Sequence, residues 1–129
     1  MSLEERLLEQ ARWLGFDLAG IAEARASDQY ALYRAWLDAG HAGELHYLHE
    51  HAEARRDLSL VYHEAQAVVM VAMSYNPGHD APSGGIARYA RAADYHGVLR
   101  ERLKSLGAWL KAQVPGAWGR VCVDTAPFL

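Results

Sequence analysis

At 129 residues and 51% hydrophobic, the chain has the size and apolar content of one ordinary domain with a core of its own. Its single cysteine, Cys122, excludes an internal disulfide and cannot alone ligate a structural zinc ion or an iron–sulfur cluster. The net charge of −3 conceals an asymmetry: residues 1–85 carry six Lys/Arg against 13 Asp/Glu, whereas Ile86 to Arg120 carries seven against only Asp94 and Glu101.

The N-terminus opens on Glu4, Glu5 and Arg6 rather than on a secretory pattern, and no run approaches the roughly 18 apolar residues of a membrane span. A cytoplasmic protein with no membrane partner is expected. Ser2 and Glu5 have capping-box spacing, and Leu3, Leu7, Leu8, Ala11 and Leu14 recur on one face up to Gly15, which predicts a first helix. Phe16 to Ala22 reads as a short strand with Phe16, Leu18, Gly20 and Ala22 on one side. Ser27 is the expected cap of a second helix through Tyr30, Leu32, Tyr33, Trp36 and Leu37, with Gly40 as its exit.

From His41 to His63 the chain is polar and rich in His and Arg, which suggests one or two short helices joined by loops. The unbroken apolar run Ala67 to Met73 predicts a central strand buried on both faces. Pro77, Gly78, Pro82, Gly84 and Gly85 mark a loop, and Asp94 to Val114 a long helix with Tyr95, Leu99, Leu103, Leu106 and Leu110 on its buried stripe. Arg120 to Val123 is expected as a last strand that delivers Asp124 to its end. Alternating helix and strand signals give an α/β (α+β) class, a central sheet flanked by helices, with residues 1–129 as a single domain.

Asp124 stands where an apolar strand opens into Thr125-Ala126-Pro127, a setting that raises a carboxyl pKa and suits a proton donor; for an isolated Asp, a turn former that bonds the following backbone is the better reading, and the motif alone does not decide. Arg88 to His96 gathers cations, rings and an imidazole: Arg88 or Arg91 could grip phosphate or amide oxygens while Tyr95 and His96 line a ligand, and Asp94 has an alternative role as a helix cap. The basic half suits RNA phosphates or a nucleotide-bearing cofactor, and equally a solvated helix surface. His46, His49 and His51 lack the Cys or acidic partners of a metal centre, so no metal site is expected in the chain. Neither GxxxxGK[ST] nor GxGxxG occurs, which disfavours nucleotide hydrolysis and dinucleotide-dependent dehydrogenation.

Taken in order, Gly15-Phe16-Asp17-Leu18-Ala19-Gly20-Ile21-Ala22, Gly43-Glu44-Leu45-His46-Tyr47-Leu48, Ala54-Arg55-Arg56-Asp57, the Ala67 strand, Ala87-Arg88-Tyr89-Ala90-Arg91, Asp94-Tyr95-His96-Gly97-Val98-Leu99-Arg100 and Val123-Asp124-Thr125-Ala126-Pro127 resemble the epoxyqueuosine reductase family over essentially the whole chain. The resemblance implies a fold like the cobalamin-binding domain of reductive-dehalogenase-like enzymes. It implies cobalamin-dependent reduction of epoxyqueuosine to queuosine in tRNA, with an electron donor protein as a further partner. It also implies two [4Fe-4S] clusters in a following ferredoxin-like domain that this chain lacks, which would leave it an inactive, monomeric fragment. By the same resemblance Asp124 is the proton donor and approaches cobalamin, Arg55 contacts cobalamin with Arg56 as the alternative, and Ala87 lies at the cofactor where some relatives have cysteine. Leu58 departs from the proline common after the Arg-x-Asp turn. Competing readings are a non-catalytic cobalamin- or RNA-binding module and a cobalamin-dependent reductase of small molecules.

Overall fold

Ser2 donates its backbone N–H to the Glu5 carboxylate at 2.8 Å and its hydroxyl accepts from the Glu5 N–H at 3.1 Å, so the first helix, α1 (Leu3–Trp13), starts with both ends of the capping box closed. The structure is a computed structural model and describes residues 1–74 and 95–123. After α1 come β1 (Leu18–Glu23), α2 (Tyr30–Asp38), α3 (Tyr47–Glu50), α4 (Ala52–Arg56), a 3₁₀ turn at Leu58–Leu60, β2 (Ala67–Ala72) and α5 (Tyr95–Gln113). Among the described residues β1 and β2 pair into a two-stranded sheet. The Asp17 N–H bonds the Ala72 carbonyl and the Ala24 N–H bonds Gln66, so the strands run antiparallel. This is a mixed α/β arrangement, a small sheet flanked by helices.

The described residues fall into two compact units, one built from Met1–Ile21 and the stretch beginning at Val69, the other from Ala22–Val68. In the first, Leu7 and Ala11 of α1, Phe16 and Leu106 of α5 form the core, and Leu14, Ala19, Val69, Val71, Met73, Leu99, Leu103, Trp109 and Leu110 pack against it. The predicted α5 stripe therefore holds for its four leucines, while Tyr95 is 36% exposed at the helix start. In the second unit the core is Leu37, Ala42 and Ala52, with Tyr33 and Leu48 against it. The chain leaves α2 through Gly40 at φ 81°, as the sequence suggested.

Four expectations are corrected. The Ala67 strand is not buried on both faces: Val69 and Val71 face the core, but the alternating neighbour Met70 is 56% exposed. A continuous apolar run specifies burial only when layers cover both sides, and here the packed layer lies on one side. β1 begins at Leu18, which is 70% exposed; Phe16, expected on the same side, precedes the strand and turns into the core at 3%. Ser27 is not the cap of α2; its hydroxyl accepts from the Gln29 N–H at 3.1 Å in a turn that precedes the helix. Arg120 to Val123 is not assigned as a strand: Val123 buries to 4% without joining a ladder among the described residues, because apolar residues record burial and not hydrogen-bond pairing.

Candidate functional site

Asp57 fixes the turn on which the two candidate arginines sit. Its carboxylate accepts from the Ser59 N–H at 2.9 Å and the Ser59 hydroxyl at 2.8 Å, and these bonds, the hydroxyl first, hold its pKa below the ordinary carboxylate range. Leu58, in place of a proline, opens the 3₁₀ turn that Asp57 caps. On the other side, Asp57 bridges to Ala26, and the Ser27 N–H donates to the Arg56 carbonyl at 2.7 Å.

Arg55 and Arg56, adjacent in sequence, have different surroundings. The Arg56 Nε donates to the Glu53 carboxylate at 2.9 Å, and Glu53 accepts a second bond from the Tyr30 hydroxyl at 3.1 Å. The guanidinium first and the phenol second keep the Glu53 carboxyl below its ordinary pKa. Arg56 is thus committed to an acid. The Arg55 guanidinium instead lies over the Tyr33 ring, 5.8 Å from its centroid, with no acidic partner among the described residues. Its Nε is enclosed and makes no hydrogen bond among the described residues. Tyr33 is itself held by a 2.8 Å bond from its hydroxyl to the Leu48 carbonyl. Sequence reasoning placed Tyr33 only on the α2 stripe and gave no part to Glu53; the i,i+3 spacing of Glu53 and Arg56 was the available signal for that pair.

In the first unit, Tyr95 and His96 open α5 with ring centroids 4.1 Å apart. Of the basic residues on α5, Arg100, Lys104 and Lys111 fall within about 40° of one another around the helix axis. Lys104 pairs with Glu101 at 3.4 Å, and Arg102, on another face, donates to the Gly15 carbonyl at 3.3 Å. His46, His49 and His51 are exposed around α3, and no group of three potential metal ligands occurs among the described residues. Ala87, Arg88, Arg91 and Asp124 lie outside the described residues.

A family model described as "Epoxyqueuosine reductase QueG, DUF1730" matches residues 55–125, from Arg55 past Asp124. The chain belongs to the epoxyqueuosine reductase family. It is 42% identical over 127 residues to the epoxyqueuosine reductase of Gloeobacter violaceus, covering 95% of this chain and 39% of the relative. To that of Pseudomonas aeruginosa it is 30% identical over 135 residues, covering 98% of this chain and 37% of the relative. The structure of epoxyqueuosine reductase from Streptococcus thermophilus superimposes with a TM-score of 0.80 at 20% identity, over all of this chain and 36% of that one, which establishes the shared fold. The chain therefore spans well under half the length of these epoxyqueuosine reductases. Every site residue read from the sequence lies within the matched segment; Tyr33 lies before it.

Proposed function

We propose that this chain is the cobalamin-binding, catalytic portion of an epoxyqueuosine reductase, which reduces epoxyqueuosine in tRNA to queuosine in the cytoplasm. The observation that carries the reading is the state of Arg55. A guanidinium without an acid among the described residues, its Nε enclosed and its charge resting on a ring, is a donor set for the amide and phosphate oxygens of a bound corrinoid. Arg56 differs in that its Nε is bonded to Glu53 in an exposed ion pair. Arg55 thus fits the group and would hold it; the family resemblance assigns Ala87 and Asp124 to the same cofactor, in a domain like that of the reductive dehalogenases. Bound cobalamin would supply the reducing equivalents for the epoxide.

Opening an epoxide leaves an oxyanion that must be protonated, and Asp124, next to the buried Val123, is assigned that proton. Arg88, Arg91, Tyr95 and His96 are assigned to the substrate and the tRNA. The aligned cations Arg100, Lys104 and Lys111 would extend a phosphate-binding surface. Electrons would come from an electron donor protein through [4Fe-4S] clusters held in the part of the family that this chain does not span.

The test uses a protein with the full span of the family. Arg55→Gln should lose corrinoid absorbance on purification while Arg56→Gln keeps it. Asp124→Asn should keep cobalamin and lose turnover of epoxyqueuosine tRNA by about a hundredfold or more. Equal cobalamin retention in both arginine variants would sink the Arg55 assignment, and near-wild-type turnover in Asp124→Asn would remove Asp124 as the donor.

A further inference from the structure

The cation over Tyr33 has no counter-charge among the described residues. An enclosed guanidinium N–H without an acceptor among the described residues carries a desolvation cost, so something must offset it for Arg55 to stay where it is. A carboxylate does so for Arg56, through Glu53. For Arg55 the compensating group is the face of the Tyr33 ring, whose negative quadrupole attracts the charge and takes up none of the terminal N–H donors. The ring is fixed by its packing against the core formed by Leu37, Ala42 and Ala52, and its hydroxyl donates to the Leu48 carbonyl.

We infer that Tyr33 is the positioning residue that presents the terminal nitrogens of Arg55 to an oxygen acceptor on the bound cofactor. An acid in its place would occupy those nitrogens, whereas an aromatic face orients the guanidinium plane and leaves its donors for a ligand. The inference rests on the proposed cobalamin contact of Arg55, and it adds a residue that precedes the matched family segment.

The position of Arg55 can be read without any ligand. In this chain labelled with ¹⁵N, the Arg55 Hε should resonate upfield under the Tyr33 ring, and the Arg56 Hε, bonded to Glu53, downfield; the second signal reports whether α4 is intact. Tyr33→Leu should return the Arg55 Hε to the value of a free arginine and leave Arg56 in place, whereas Tyr33→Phe should keep most of the ring shift. If Tyr33→Leu disturbs both signals, Tyr33→Phe decides: loss of the Arg55 shift with the ring retained overturns the inference. An unmoved Arg55 Hε in Tyr33→Leu overturns it as well.

Hydroxocobalamin titration of the protein with the full family span separates this inference from the reading beneath it. Arg55→Gln without effect on Kd defeats the cobalamin contact. Arg55→Gln weakening it while Tyr33→Leu leaves Kd unchanged defeats the positioning role. Tyr33→Leu should raise Kd about three- to tenfold, the scale of one lost cation–π contact, with Tyr33→Phe close to wild type.

Discussion

The Arg102 guanidinium donates to the Gly15 carbonyl, and it occupies the space a β-carbon at Gly15 would fill. Gly15 also sits at φ 97°, where an L side chain is strained. Gly15→Ala should therefore destabilise the chain by about 2 kcal/mol, of which roughly 1–2 kcal/mol is backbone strain and the rest the displaced guanidinium. Urea denaturation of the two single variants and the double variant checks this. Arg102→Ala should cost less in the Gly15→Ala background than beside the native glycine, because the hydrogen bond is already gone; additive costs would show that the two residues do not share that space.

Adjacent residues of β2 should differ in what they contribute. Val71 packs on the Leu7–Ala11–Phe16–Leu106 core, so Val71→Ala should cost about 1–2 kcal/mol for two methyl groups removed at roughly 0.8 kcal/mol each. Met70 is more than half exposed, and Met70→Ala should fall within about 0.5 kcal/mol of wild type. Equal losses in a denaturation series would mean that both faces of the strand are covered.

Glu53 and Asp57 make stability depend on acid. Both have folded-state pKa values lowered by hydrogen bonds, Glu53 by Arg56 and then Tyr30, Asp57 by the hydroxyl and N–H of Ser59. A depressed folded pKa means that the unfolded chain takes up protons first as pH falls. The stabilisation is complete above the ordinary carboxylate range and is lost as pH drops through the folded values. Glu53→Gln should flatten part of the fall in urea midpoint below that range and leave the neutral-pH slope alone. An unchanged acid limb would show that Glu53 gains nothing from Arg56 and Tyr30 on folding.

Reconstitution of the 129-residue chain with iron and sulfide under anaerobic conditions should yield no stoichiometric cluster, since one cysteine cannot provide four thiolates. Iron and acid-labile sulfide at about four per chain, the content of one [4Fe-4S] cluster, would contradict this.

The helices were legible because their signals are local. The Ser2/Glu5 box, the leucine spacing of α5 and the Gly40 exit act within a few residues, and each appears as read. Strand faces were not, since whether Met70 or Leu18 is covered depends on layers distant in sequence. The same limit applied to the site. The resemblance put Arg55 first with Arg56 as its alternative; what distinguishes their surroundings is Glu53 and Tyr30 on one side and Tyr33 on the other, and Tyr33 is 22 positions from Arg55.

The bond from the Ser27 N–H to the Arg56 carbonyl, beside the Ala26–Asp57 bridge, closes a long excursion of the chain onto itself. Loop closure of this kind must be completed before the contacts it encloses gain anything, so Arg55 acquires its setting only when the residues just after β1 have found Asp57. The Ser27 amide thereby becomes a clock for the arrangement around Arg55. Its exchange with deuterium can proceed only when that closure opens, and its protection measures how often the arginine loses its place.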